Sequence, residues 1–163
     1  MAYKALTEAE AKQYALQIPN LFPADASLQV KEIGDGNLNL VFHIADEVSR
    51  RSVIIKQALP YAKVVGESWP LTLDRARIEK EALVLQKEIC PQFVPEVYHY
   101  DERLALTVME DLSSHVILRK GLIEGNIYPK LGEHLGLFIA ETLFRQSDFY
   151  LAPSVKKNRV NQF

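Results

Sequence analysis

The sequence predicts an α+β fold in which an antiparallel sheet of about five strands carries one main packed helix. Three strand-like segments precede the first long helix and two more follow it, which favours a sheet with a helix on one face. The 163 residues are 48% hydrophobic and 25% charged, close to the averages for globular domains. The chain is therefore long and apolar enough to bury a core.

Charge and composition exclude several classes of protein. The 19 Lys and Arg residues nearly balance the 21 Asp and Glu residues, which argues against a nucleic-acid binder. No apolar run approaches the ~18 residues of a membrane span, and the N-terminus lacks the layout of a secretory signal. A single cysteine, Cys90, cannot form an internal disulfide. These features predict a cytoplasmic protein that binds neither nucleic acid nor membrane.

The N-terminal half is predicted to contain one short helix and three strands. Thr7 and Glu10 fit a capping box, so a helix should begin there and end near Leu16. A Gly-Asp-Gly-Asn turn at 34–37 and a polar segment at 46–51 separate segments rich in β-branched residues. The predicted strands are 28–33, 40–44 and 52–58.

The remainder is predicted to alternate between irregular and regular structure. The stretch 59–71 contains Pro60, Gly66 and Pro70 and is expected to be irregular. A helix follows at 72–89, because four apolar residues recur with helical spacing. Two strands, a helix beginning near Pro129 and a polar tail without periodicity follow in turn. The apolar positions of the first helix are Ile78, Ala82, Leu85 and Ile89, the strands are 96–100 and 104–109, and the tail is 147–163.

The turn between the first two strands is a candidate anion-binding loop. Gly34 and Gly36 allow backbone N–H groups to approach an anion closely, and Asn39 adds a side-chain donor. Asn39 stands where the kinase pattern G-x-G-x-x-G has its third glycine. The alternative is an ordinary hairpin turn.

Lys56 is the candidate cation of the site. It lies on an apolar strand, where a lysine is costly to bury unless it is paired. Phosphate oxygens and a carboxylate on the following helix are suitable partners. Glu79 and Glu81 have similar angles about the apolar stripe, so periodicity does not choose between them. The alternative is a lysine at a strand end that reaches solvent.

The exit of the fifth strand is a candidate adenine site. The apolar strand turns polar at Met109-Glu110-Asp111-Leu112, where edge carbonyl and N–H groups could meet an adenine ring. The alternative is a plain strand exit.

Taken together, these segments resemble the N-terminal part of the bacterial methylthioribose kinase family, within the protein-kinase-like superfamily that includes aminoglycoside and choline kinases. The block Gly66-Glu67-Ser68-Trp69-Pro70 is more specific than any glycine loop. The similar segments are 32–43, 54–58, 61–71, 74–79, 108–112 and 120–125.

The resemblance implies both an architecture and an activity. Residues 1–112 would form a kinase-like N-lobe with a hinge at 109–112, and 113–163 would begin a helical C-lobe. The family transfers the γ-phosphate of ATP to the 1-hydroxyl of 5-methylthioribose in methionine salvage, with Mg²⁺. It also implies a homodimer for the full-length protein.

Roles for individual residues follow from the same resemblance. Asn39 would touch the nucleotide from the glycine loop, and Lys56 would hold the α- and β-phosphates. Glu79 is preferred to Glu81 as the partner of Lys56, because it lies in the family's Arg-Ile-Glu pattern. The adenine hinge would comprise Glu110, Asp111 and Leu112.

Trp69 lies on a loop that is specific to the family and close to its active site. Two roles are open for it. It either packs the loop onto the helix or contacts the substrate.

The family's catalytic His-Gly-Asp and metal-binding Asp-Pro-Glu segments have no counterpart before Phe163. We therefore expect no catalytic residue and no metal ligand in this chain, and no turnover by the isolated 163-residue polypeptide. Two alternatives stay open. The chain could derive from a kinase of another sugar or amino alcohol, or it could be a non-catalytic lobe that binds nucleotide or a partner.

Overall fold

The computed structural model describes residues 3–34 and 36–162. Asp35, in the predicted glycine turn, lies outside the described residues. The chain divides into two compact units. The sheet unit comprises the described residues up to Leu83 together with Pro95–Asp111. The helical unit comprises Val84–Val94 and the described residues from Leu112 onwards.

The sheet unit contains a five-stranded antiparallel sheet in the order β1-β2-β3-β7-β6, which confirms the predicted α+β class. A separate two-stranded hairpin, β4–β5, follows β3 in the sequence. β3 is the central strand of the main sheet. The strands are β1 Leu28–Glu32, β2 Asn39–Asp46, β3 Ser52–Ala58, β4 Tyr61–Ala62, β5 Gly66–Pro70, β6 Val97–Asp101 and β7 Leu106–Glu110.

The main core lies on one face of this sheet. Side chains alternate across a strand, so every second residue of the three central strands points to the same side. These apolar residues are fully buried and form one cluster with helix α1, Glu8–Gln17. The innermost strand residues are Phe42, Ile44, Ile55, Leu106 and Val108.

Helix α1 begins at the predicted capping box. The Thr7 hydroxyl accepts a hydrogen bond from the Glu10 N–H at 3.3 Å, and the Glu10 carboxylate accepts one from the Thr7 N–H at 2.9 Å. Hydrogen bonds from Lys4 and then from Thr7 lower the pKa of Glu10 to about 2. Ala11 and Ala15 face the core and are fully buried.

Two helices pack on the sheet unit, and α1, rather than the longer helix predicted at 72–89, covers the main core. Small alanine side chains let a helix backbone approach the sheet closely. Helix α2, Asp74–Ile89, packs in a smaller cluster, in which Ala76 meets Ala58 and Ala105. The apolar stripe of α2 is only half-buried.

The stretch 59–71 was predicted to be irregular and instead contains the β4–β5 hairpin. Tyr61 pairs with Pro70 and Ala62 with Gly66, with an irregular register between them. Gly66 adopts a φ of 83°, a left-handed conformation that favours glycine. β4 has only two residues, and β5 begins at a glycine, ends at a proline and is exposed along most of its length, so neither strand gives an alternating apolar pattern.

The helical unit contains helices α3 Leu118–Ile123, α4 Leu131–Arg145 and α5 Pro153–Gln162. The prediction of a helix beginning near Pro129 matches α4, whereas α5 was not predicted, because the tail 147–163 shows no periodicity. Helix α5 is polar around most of its circumference, so it leaves no apolar stripe to detect. Within the described part of the chain, no helix is long and apolar enough to cross a membrane.

Gln57 is a buried polar side chain that fastens the N-terminal segment to β3. It is fully buried, and its amide N–H groups donate to the carbonyls of Lys4 at 2.8 Å and Leu104 at 3.0 Å. Its carbonyl oxygen accepts from the Leu6 N–H at 2.9 Å. Gln57 therefore satisfies backbone groups of two segments at once.

We expect Gln57→Ala to lower the free energy of unfolding by about 2–4 kcal/mol, because it leaves a cavity and removes the partners of buried backbone groups. Urea denaturation measures this change. Gln29→Ala, on the exposed side of β1, is the matched control and should cost little. Equal losses in the two variants would contradict the role assigned to Gln57.

Asp46 organises the turn between β2 and β3. The side chain is buried and accepts hydrogen bonds from the Ser27 and Ser49 N–H groups, each at 3.0 Å. A hydrogen bond from the Ser49 hydroxyl, followed by those from backbone N–H groups, lowers the pKa of Asp46, although burial opposes the shift. The ionised carboxylate therefore stabilises the turn.

This lowered pKa predicts a pH dependence of stability. The carboxylate contributes fully above its unfolded pKa of about 3.9, and the contribution disappears as the pH falls through the lower folded pKa. Between about pH 6 and about pH 3 the native protein should lose more stability than Asp46→Asn, which does not titrate there. Urea titrations at several pH values measure the difference. Parallel losses in both proteins would refute it.

Candidate functional site

The glycine loop between β1 and β2 folds back on itself. A Cβ atom on Gly36 would lie 2.8 Å from the Asn39 carbonyl oxygen, so only glycine fits there without a shift. A Cβ on Gly34 would meet open space. The Asn37 carbonyl accepts a hydrogen bond from the Val64 N–H at 3.3 Å, which connects the loop to the β4–β5 hairpin.

Arg75, on the first turn of α2, holds the end of this loop. Its Nη2 atom donates to the carbonyls of Leu38 and Leu59, both at 2.8 Å, and its Nη1 atom donates to Oδ1 of Asn39. Burial lowers the pKa of Arg75, while the charge of Glu79 opposes that shift. Arg75 was not among the residues predicted from the sequence. The sequence signal that could have identified it is an arginine one helical turn before Glu79, the preferred partner of Lys56.

Lys56 forms an ion pair with Glu79. It lies on the central strand, between Val41 of β2 and Thr107 of β7, and its side chain is 27% exposed. It is therefore not a lysine at a strand end that reaches solvent. Glu81 instead pairs with Arg77 at 3.0 Å. The structure thus brings together the lysine and the preferred one of the two carboxylates.

Glu110, at the end of β7, is fastened to the segment that precedes β6. Its N–H donates to the Glu96 carbonyl at 2.8 Å, and its carboxylate accepts from the Glu96 N–H at 3.0 Å. The side chain of Glu110 is therefore engaged in structural contacts. Leu112 begins the second segment of the helical unit and is 41% exposed, and its carbonyl accepts from the His115 N–H at 2.8 Å.

The carboxylate of Asp111 points into the protein. Its Oδ2 atom accepts hydrogen bonds from the Ser52 hydroxyl at 2.7 Å and from His43 Nε2 at 3.0 Å. The Asp111 side chain is only 8% exposed. Asp111 thus ties the exit of β7 to β2 and β3. His43 and Ser52 were not predicted to take part, because residues far apart in sequence meet here only through the strand order.

Trp69 lies on β5 and is 60% exposed. Its neighbours on β5, Glu67, Ser68 and Pro70, are exposed as well. Packing of the loop onto the helix and contact with a substrate both remain predictions for this side chain.

The described residues do not supply a metal centre. Across 3–34 and 36–162, no three His, Cys, Asp or Glu side chains come close enough together to hold an ion. The candidate site therefore consists of a glycine loop, a paired lysine and a strand exit.

In kinases, a strand lysine that binds the nucleotide phosphates pairs with a glutamate on the helix that follows, and a glycine-rich loop covers the phosphates. The sheet unit has the same lysine–glutamate pair on a five-stranded antiparallel sheet. It is the N-terminal lobe of a protein-kinase-like fold.

Sequence comparisons give the particular relationship. The chain is 56% identical over 162 residues to the methylthioribose kinase of Bacillus pumilus, covering 99% of this chain and 41% of that protein. The methylthioribose kinase of Geobacillus thermodenitrificans is likewise 56% identical over 162 residues, with the same coverage. That of Yersinia pseudotuberculosis serotype O:1b is 51% identical over 161 residues, covering 99% and 40%.

These findings confirm the resemblance predicted from the sequence: the chain is homologous to methylthioribose kinases along nearly its whole length. It spans 40–41% of the length of these curated relatives. No protein-family model matches the chain.

The hydrogen bonds that Asp111 accepts from Ser52 and His43 at the exit of β7 can be tested by substitution. Asp111→Ala leaves the Ser52 hydroxyl and His43 without their shared acceptor, so we expect a loss of about 1–3 kcal/mol in the free energy of unfolding. Chemical denaturation measures it, with the exposed Asp25→Ala as the control. If Asp111→Ala were as stable as the control, the carboxylate would not hold the strand exit.

Proposed function

We propose that this chain forms the nucleotide-binding half of a kinase that transfers the γ-phosphate of ATP to the 1-hydroxyl of 5-methylthioribose, in methionine salvage. The ion pair between Lys56 and Glu79 is the observation that carries the proposal. The similarity to proteins named methylthioribose kinase supports the choice of acceptor.

Lys56 binds the α- and β-phosphates in this proposal. Its ammonium group is held on the central strand by Glu79, so it meets the nucleotide in a fixed position. A fixed donor loses little conformational entropy when it binds a phosphate oxygen. Charge-assisted hydrogen bonds of this kind are among the strongest that proteins form.

The glycine loop and the strand exit complete the nucleotide site. Gly34 and Gly36 leave the loop backbone accessible to phosphate oxygens, and Asn39 adds amide donors. The side chains of Glu110 and Asp111 and the backbone N–H of Glu110 are engaged within the protein, so in this proposal the hinge contacts adenine through the remaining backbone groups of Glu110, Asp111 and Leu112.

Mg²⁺ belongs to the proposed reaction, where it would neutralise charge on the ATP phosphates. The described residues offer no cluster of ligands for it, so we derive no step through the metal from this chain. We also place the protein in the cytoplasm, without nucleic-acid or membrane partners, and propose that the full-length protein is a homodimer.

Replacing Lys56 tests the nucleotide site. Lys56→Ala should weaken ATP binding by about tenfold or more in the full-length protein, because a hydrogen bond to a charged group contributes about 1.5–3 kcal/mol. Isothermal titration calorimetry with a non-hydrolysable ATP analogue measures this. Lys80→Ala is the matched control, since Lys80 lies on α2 over the Tyr100 ring, 5.2 Å from its centroid.

Phosphotransfer assays with methylthioribose, other sugars and amino alcohols then identify the acceptor. ATP binding together with phosphorylation of another acceptor only would overturn the proposed substrate and keep the nucleotide site. ATP binding without transfer to any acceptor would favour a non-catalytic lobe. Equal ATP affinity in Lys56→Ala and Lys80→Ala would overturn the assigned role of Lys56.

A further inference from the structure

We propose that Arg75 is a positioning residue for nucleotide binding, which orients the Asn39 amide and holds the end of the glycine loop beside the strand that carries Lys56. This inference rests on the proposed function, since it concerns the same nucleotide site. Arg75 itself contacts neither phosphate nor substrate in this proposal, and it acts through Asn39.

The contact between Arg75 and Asn39 fixes the orientation of the asparagine side chain. A guanidinium group carries only donors, so the amide oxygen of Asn39 must face it. The amide NH₂ group then points away from Arg75, and its two donors are left for an acceptor elsewhere. Phosphate oxygens are acceptors only. The orientation that Arg75 imposes is the one that suits a nucleotide.

The same guanidinium holds the loop backbone. Nη2 bridges the carbonyls of Leu38, next to Asn39, and Leu59, which follows β3 three residues after Lys56. The loop and the lysine strand are thereby joined through one planar group. A lysine could not reproduce these contacts, because its ammonium group is a single point of charge rather than a fork.

Two further observations indicate that this arrangement serves more than packing. The Nε atom of Arg75 is buried and has no hydrogen-bond partner among the described residues, which is a cost to stability. Arg75 and Glu79 lie one helical turn apart, and the Glu79 carboxylate favours the charged form of Arg75. One turn of α2 therefore carries both Arg75, which contacts the glycine loop, and Glu79, which pairs with Lys56.

A double-mutant cycle in the full-length protein tests the inference. The variants are Arg75→Ala, Asn39→Ala and the combination of both, and the readouts are the Kd of a non-hydrolysable ATP analogue and the Tm. Arg77→Ala is the control, because Arg77 lies on the same helix turn and pairs with Asp74 and Glu81. Arg75→Lys tests the need for the fork.

We expect each single alanine variant to raise the Kd about tenfold, and the double variant to raise it no further, because Arg75 acts through Asn39. Arg75→Lys should resemble Arg75→Ala, and Arg77→Ala should retain the native Kd. Asn39→Asp should keep the contact with Arg75 and the native Tm but bind the analogue more weakly, since a carboxylate donates no hydrogen bond to phosphate.

Other outcomes overturn the inference. Additive effects on the Kd would show that Arg75 acts independently of Asn39 and would overturn the inference. A Kd within about twofold of native for Arg75→Ala, with only the Tm lowered, would make Arg75 a purely structural residue. Full affinity in Arg75→Lys would exclude the bridging role. If the native protein bound no ATP analogue, the proposed function would fail, and this inference would fail with it. The outcomes above differ from that case, because in them the native protein binds the analogue.

Discussion

The central constraint on this structure is a positive charge on the middle strand of a sheet. Lys56 is flanked by β2 and β7, where an unpaired ammonium group would be costly. Glu79 of α2 supplies the opposite charge, so the helix must lie close to the strand. Ala76 permits this approach, because it packs against Ala58 and Ala105 without a bulky side chain between them. The position of α2 then decides where Arg75 meets the glycine loop.

The alternation of side chains along β3 places two kinds of polar group on opposite faces. Lys56 belongs to the candidate site, while its neighbour Gln57 is buried and fastens the N-terminal segment. Ser52, at the start of the same strand, donates to Asp111 at the exit of β7. The central strand thus organises the phosphate end of the site, the strand exit and the N-terminal segment. A change in its register would affect all of them together.

The elements predicted correctly from the sequence are those whose signals are local. Runs of β-branched residues marked the strands, the Thr7–Glu10 capping box marked α1, and helical spacing marked α2. The β4–β5 hairpin and α5 were missed, because a two-residue strand paired with a mostly exposed one, and a helix without an apolar stripe, give no periodic pattern. The Lys56–Glu79 pair was anticipated from the resemblance. The contacts of Arg75 with the loop, and of Asp111 with His43, depend on distances across the fold that spacing in the sequence does not encode.

The single tryptophan of the chain is Trp69, which is 60% exposed on a hairpin whose connection is hydrogen-bonded to the glycine loop through Val64 and Asn37. All intrinsic indole fluorescence of this chain therefore originates from one position on the β4–β5 hairpin. Its emission wavelength depends on the polarity around that one ring, so the chain carries a built-in optical probe of the hairpin. No dye or added label is needed to follow that part of the molecule in solution.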